Sequence, residues 1–305
     1  MRASNAAFDA LAATGRAAGL TPLEITRSAE LSGAVRRALE GTERELELEL
    51  GRDTWLVHLT PLLRGAVLLL MRDVTAEKRA RAIRRNFVAN ASHELRTPIA
   101  AIQAAVETLQ AGALSDPEAA REFLGIVARH TDRLSRLTRD LLDLSRLESG
   151  QWRFQIGHVD AAAVARQVMD LLREAANEKG LVLTNELAGD VAVRADPRAL
   201  EHVLVNLVEN AIKYTDRGSV TLHAERDGAA WILEVADTGP GIDGHHLPRI
   251  FERFYRVDPG RSRDQGGTGL GLAIVKHLAQ GMGAEVGVES DGAGTRFRVR
   301  LPAAA

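Results

Sequence analysis

FVANASHELRTPIAAI, from Phe87 to Ile102, decides how the rest of this 305-residue chain is read. At about 100° per residue, Phe87, Ala91, Leu95, Pro98, Ile102, Val106 and Leu109 fall within an arc of roughly 100° on a helical wheel. His93 falls nearly opposite the middle of that arc, which predicts a histidine on the solvent face. Glu94 adjoins it and is placed to accept a hydrogen bond from the ring Nδ1, fixing the tautomer and leaving Nε2 as nucleophile. Thr97 follows one turn on, about 40° away, so its hydroxyl reaches the same space. Pro98 removes the amide that would bond the carbonyl of Glu94 and loosens the helix there. A lone exposed histidine is ordinarily a solvated surface residue; the neighbours single this one out.

Outward from this segment, Thr75 to Ser149 has the pattern of long helices with one break, Gly112 to Pro117. Helices joined by so short a turn lie antiparallel. The second carries Leu134, Leu137, Leu141 and Leu144 at alternating steps of three and four, a coiled-coil-like seam. Each helix buries one stripe, which predicts a dimeric four-helix bundle rather than a free hairpin. Upstream, Asn5 to Gly41 reads as short helices broken at Gly19–Pro22. Glu43–Leu50 then alternates leucine and glutamate as a half-buried strand. With Thr54–Leu63 and Gly65–Arg72 it predicts an antiparallel meander. Downstream of Gly150, Asp160–Lys179 and Pro197–Tyr214 read as helices, the latter with Asp196 as N-cap. Strands are expected over Leu181–Leu187, Val191–Ala195, Ser219–Arg226, Trp231–Ala236, Ala284–Ser290 and Thr295–Leu301, which implies an α/β sandwich.

Three segments of this last region suit a nucleotide. On the helix Pro197–Tyr214, Leu200, Leu204, Leu207 and Ala211 form the buried stripe, while Asn206, Asn210 and Lys213 share a separate strip. An amide oxygen suits Mg²⁺, which keeps most of its waters and phosphate ligands, and a lysine answers phosphate charge. Asp237-Thr238-Gly239-Pro240-Gly241 closes a strand, with a carboxylate to accept from an exocyclic amine and glycines that let backbone approach a flat base. Gly266-Gly267-Thr268-Gly269-Leu270-Gly271 runs into an apolar helix, Leu272–Ala279, and offers free N–H groups to phosphate. Polar residues on an exposed helix face and an Asp/Gly-rich turn are the bland alternatives for the first two. No G-K-[ST] follows the glycines, so this is not a Walker loop.

Bulk properties narrow the class further. The absence of cysteine excludes disulfides and thiolate chemistry, and a net charge of −2 argues against nucleic-acid binding. The longest apolar run, Ala66–Met71, is far short of a membrane span, and no signal peptide opens the chain, so a cytoplasmic location is expected.

Ser92-His93-Glu94-Leu95-Arg96-Thr97-Pro98 resembles the H box of sensor histidine kinases of two-component systems. LVNLVENAIKYT (204–215), DTGPGI (237–242), FERFYR (251–256) and GGTGLGL (266–272) resemble the N, G1, F and G2 boxes of the ATP-binding domain those kinases share with gyrase, MutL and Hsp90. The resemblance implies ATP as substrate, Mg²⁺ as cofactor, and His93 as phospho-acceptor. It makes Glu94 the base and Thr97 the residue that positions water when the kinase runs as a phosphatase. It implies that Asn210 ligates Mg²⁺, that Asp237 reads the adenine amine, and that Lys213 and Tyr214 contact nucleotide. Gly239, Gly241, Gly267, Thr268, Gly269, Leu270 and Gly271 shape the site, with Asn206 beside them. Phe251–Gly267 becomes a lid, with Arg256 a phosphate contact.

ATP-hydrolysing relatives carry a water-activating glutamate where this chain has Asn206, so ATP is expected to wait for His93. That departure, with no transducer domain after the ATP module, also argues against a gyrase-type clamp. The intact boxes argue against a non-enzymatic scaffold. Residues 1–75 resemble a partial PAS sensor domain, through Asn5–Phe8 and Leu68–Arg79, and either sense a ligand or serve dimerisation alone. Residues 76–150 then form the dimerisation and phosphotransfer domain, and 151–305 the catalytic domain. The implied partners are a second copy of the chain and the receiver domain of a separate response regulator; membrane tethering belongs only to a longer parent protein.

Overall fold

The computed structural model describes residues 4–11, 17–187, 189–258 and 267–304. Two compact units form, Met1–Ala89 and Asn90–Ala305.

In the first unit, α1 (Ala6–Asp9), α2 (Pro22–Thr26) and α3 (Ala29–Leu39) precede three strands. Each short helix starts on a side-chain cap: Asn5 accepts from the Phe8 amide, Thr21 and Glu24 form a capping box, and Ser28 accepts from Leu31. Strands β1 (Arg44–Leu50), β2 (Asp53–Leu62) and β3 (Ala66–Asp73) pair antiparallel in sequence order, the meander expected from their alternation. Leu48, Val57 and Leu59 pack against Leu31, Ala34 and Ala38 of α3.

Helix α4 spans Thr75–Gln110 and α5 spans Pro117–Glu148. Between them Gly112, at φ 134°, opens a short 3₁₀ turn, and Asp116 caps α5 by accepting from the amides of Glu118 and Ala119. Ala105 and Leu109 of α4 and Leu137 and Leu144 of α5 are buried. One member of the expected stripe differs: Val106 is 38% exposed and Ala105 turns inward instead. A single facing helix covers a narrower strip than the full apolar arc.

The rest of this unit is a two-layer sandwich. Its elements are β4 (Gly157–Asp160), α6 (Ala161–Glu178), β5 (Val182–Asn185), β6 (Ala192–Ala195), α7 (Pro197–Tyr214), β7 (Ser219–Asp227), β8 (Ala230–Asp237), α8 (Gly271–Gly281), β9 (Glu285–Ser290) and β10 (Thr295–Pro302). The sheet order is β5-β7-β8-β10-β9, antiparallel except for the β5–β7 pair. Val220 and Leu222 of β7, Leu233 and Val235 of β8, and Val299 and Leu301 of β10 alternate onto the face covered by helices, and all are at most 1% exposed. On α7 the stripe Leu200, Leu204, Leu207 and Ala211 is buried as the wheel requires. Strand β4, which pairs with β6 in a separate ribbon, has no counterpart in the expected elements.

Candidate nucleotide and phospho-acceptor site

Three strands deliver Asp237 to the edge of the helical layer, where it stands opposite Val220 of β7 and Thr295 of β10. Its Oδ1 accepts from the amides of Gly239 (2.8 Å) and Thr295 (3.3 Å), which leaves its other oxygen for a ligand. Burial pushes its carboxyl above the usual carboxylate range, and those two amides only partly oppose the shift. The next turn is built on missing side chains. A Cβ at Gly239 would lie 2.8 Å from Asp237 Oδ1, and one at Gly241, where φ is +73°, would lie 2.8 Å from the backbone of Gly292.

Beneath this turn lies a cavity of about 240 Å³ bounded by Asn210, Asp237, Ile250, Tyr255, Leu272 and Phe297. It opens into a larger cleft of about 600 Å³ reached by Asn206, Lys213, Gly267, Thr268 and Gly271, with Asp140 of α5 on the far wall. An apolar slot beside a polar, cation-bearing cleft suits a base at one end and phosphates at the other. Lys213 lies with its Nζ 4.8 Å over the Tyr214 ring, and burial pushes its ammonium below the ordinary lysine value. Ile250, Leu272 and Phe297 carried no signal in the sequence beyond ordinary core hydrophobicity.

The glycine loop is stapled to the segment before it. Phe254, at φ +61°, donates its amide to the Gly269 carbonyl at 2.7 Å. A Cβ on Gly269, itself at φ +72°, would stand 2.9 Å from Phe254 Cα. Gly269→Ala is therefore expected to destabilise this module by roughly 2–4 kcal/mol through strain and overpacking. A lowered midpoint in thermal unfolding, together with weaker nucleotide binding, checks it. Leu270 is fully buried, so its side chain serves the core and only its backbone is left to the loop. Asn206 donates Nδ2 to the carbonyl of His202, while its Oδ1 fills the space that a side chain on Gly271 would need. The expected lid lies partly outside the described residues, at 259–266.

His93 is exposed on α4, as its wheel position requires. Its neighbours behave otherwise than the sequence suggests. Glu94 does not engage the His93 ring; its Oε2 accepts from Arg133 of α5 at 2.8 Å and from Arg256 at 2.9 Å. Two guanidinium donors outbid one neutral imidazole for a carboxylate that is only 13% exposed. Thr97 bonds back to the carbonyl of His93 at 3.3 Å, the usual resort of a hydroxyl inside a helix. Thr268 donates to Asp140 at 2.7 Å, and Arg253 pairs with Glu148 at 2.7 Å. Burial pushes the Asp140 carboxyl upward. The pairings of Glu94 with Arg133 and Arg256, of Thr268 with Asp140 and of Arg253 with Glu148 were not visible in the sequence, because their members lie far apart in it.

The site therefore joins a nucleotide-shaped cleft to a helix bearing an exposed histidine, and the family follows from both halves. Residues 83–150 match the model of the His Kinase A (phospho-acceptor) domain, and residues 195–305 match that of the Histidine kinase-, DNA gyrase B-, and HSP90-like ATPase. The chain belongs to the sensor histidine kinases of two-component systems.

Among curated proteins it is similar to the sensor protein SrrB of Staphylococcus aureus, 34% identical over 241 residues. That alignment covers 78% of this chain and 41% of SrrB, so the chain spans well under half the length of that relative. Among solved structures, the Acinetobacter baumannii histidine kinase AdeS is 28% identical with a TM-score of 0.57, over 70% of this chain and 98% of that one. Full-length ShkA, in complex with AMPPNP, is 32% identical with a TM-score of 0.53, over 72% of this chain and 46% of that one. Histidine kinase ThkA, in complex with the response regulator protein TrrA, shares the fold at 22% identity and a TM-score of 0.60, over 94% of this chain and 87% of that one. Among the described residues, no helix is long and apolar enough to cross a membrane.

Proposed function

We propose that this chain binds ATP with its base against Asp237 and moves the γ-phosphoryl group onto Nε2 of His93. The observation that carries this reading is the bond from Arg256, on the wall of the cleft, to Glu94, the residue next to His93. In the transfer, neutral Nε2 forms a bond to phosphorus as the bridging P–O bond breaks and ADP leaves. The Nδ1 proton then passes to Glu94. Lys213 and Arg256 face the phosphate charge. Asn210 lines both the apolar slot and the larger cleft, which supports Mg²⁺ held there by its amide oxygen together with nucleotide phosphates. When bound, the ion neutralises charge on the phosphates. The AMPPNP held by ShkA supports the nucleotide assignment.

The phosphoryl group passes next to an aspartate of a response regulator, a reading supported by the ThkA–TrrA complex. We assign the division 1–75, 76–150 and 151–305 to partial PAS-like sensor, dimerisation and phosphotransfer, and catalytic domains. Ile99, Val106, Leu124 and Leu142 leave an apolar face on the hairpin, 38–58% exposed, which a second copy would cover in a four-helix bundle. Incubation with γ-labelled ATP should give an acid-labile, alkali-stable label on the protein; no label overturns the kinase reading. Thr97 is assigned to the reverse reaction, positioning water on the phosphorylated regulator. Thr97→Ala should keep autokinase activity within about threefold while phosphatase activity falls by about tenfold or more. Equal loss of both would reject that division of roles.

A further inference from the structure

Glu94 is held from two sides, and the two sides are unlike. Arg133 reaches it from the neighbouring helix of the same hairpin, and only 7% of its side chain is exposed. Arg256 reaches it from the catalytic module, equally buried, out of the turn pinned to the glycine loop through Phe254 and Gly269. One carboxylate thus faces two guanidinium groups, and one positive charge is left over at the mouth of the nucleotide cleft.

The way Arg256 uses its donors is informative. Nε and Nη2 form one edge of a guanidinium, the fork that grips two oxygens of a phosphate or carboxylate. Here Nη2 is committed to Glu94 and to the carbonyl of Gly267. Nε is buried and has no acceptor among the described residues. The fork is half used, and leaving a buried donor unpaired is unfavourable. A nucleotide phosphate presenting two oxygens to this edge would satisfy Nε and, in the bidentate grip, draw Nη2 onto its second oxygen.

We propose that Arg256 is an exchange residue: phosphate draws its Nε–Nη2 fork away from Glu94, so nucleotide loading uncovers the base beside His93 while Arg133 keeps it oriented. Without nucleotide, Arg256 occupies Glu94 and holds the transfer site closed. The coupling is reciprocal, since whatever frees Arg256 from Glu94 must favour nucleotide by the same factor. This inference rests on the proposed roles of Glu94 and the cleft, but its test needs no phosphoryl transfer.

Affinity for the non-hydrolysable analogue AMPPNP with Mg²⁺ is to be measured by calorimetry on the full chain and on Glu94→Gln, Arg256→Gln and the double variant. Glu94→Gln removes the competing charge, and AMPPNP is expected to bind roughly 5- to 20-fold tighter. In the Arg256→Gln background the same change should alter affinity by less than twofold. Unchanged or weaker binding to Glu94→Gln overturns the proposal, as does equal tightening in both backgrounds. Arg256→Lys, which keeps the charge but not the fork, should behave like Arg256→Gln; wild-type coupling in that variant also overturns it. Thermal unfolding of each variant separates these outcomes from loss of the fold. Absence of label from γ-labelled ATP would reject the kinase reading and with it the role of Glu94 as base, whereas the binding comparison alone decides whether Arg256 exchanges between Glu94 and phosphate.

Discussion

Autophosphorylation is expected to vanish in His93→Gln. The side chain stands on the exposed face of α4 and has no part in the hairpin core, so its replacement should change stability by no more than about 0.5 kcal/mol. Glutamine keeps polarity and helix propensity but has no lone pair basic enough to attack phosphorus. The expected loss is at least about 1,000-fold in labelling rate, with AMPPNP affinity unchanged within a factor of two. Glu94, Arg133 and Arg256 keep their contacts in this variant, so the result isolates the acceptor from the machinery around it. Label surviving on His93→Gln would move the acceptor to another of the nine histidines.

Asp237→Asn should separate binding from stability. Burial raises the carboxyl's pKa in the folded module, so its ionised form opposes folding at neutral pH. The sign follows directly: a carboxyl with a raised folded pKa gains stability as pH falls through that value, and gives it up above it. Asparagine can still accept from the amides of Gly239 and Thr295, and it carries no charge. The variant should therefore melt no lower than wild type at pH 7, and it should lack the gain in stability that Asp237 contributes as pH falls. Nucleotide binding should suffer heavily. The second oxygen becomes an NH₂ facing the donor amine of the base, which loses one charge-assisted bond and leaves a donor unpaired. At about 1.5–3 and 1–3 kcal/mol respectively, the loss is roughly 100-fold to 10,000-fold in affinity. Calorimetry with AMPPNP checks it; a change under threefold would remove Asp237 from the base site.

How much of this was legible in the sequence depended on whether the information was local. Helix α7 was legible to the residue, because Asp196, Pro197 and a clean apolar stripe all act within one element. The meander of the first unit was legible to within a residue, from the leucine–glutamate alternation of β1 and the two apolar stretches after it. Strand β4 was not, since Gly157–Asp160 is too short to show a period and exists only because β6 lies beside it. The same distinction governs the site. His93, Asn210 and Asp237 announce themselves through neighbours in sequence. The actual partners of Glu94 lie 39 and 162 residues away, and no local pattern encodes them. The hydrogen bond expected from the His93 ring to Glu94 is replaced by these two for that reason.

The bond between Phe254 and Gly269 also bears on how this family can diversify. It holds Phe254 against Gly269, so any length of chain between those two residues closes on the same bond. Closure entropy grows only logarithmically, and doubling such a loop costs about 0.6 kcal/mol. Insertions there would leave the sheet, the cleft and the staple intact. Chain length between these two residues is therefore the least costly feature of the module to change, while Phe254 and Gly269 themselves are among the hardest to replace.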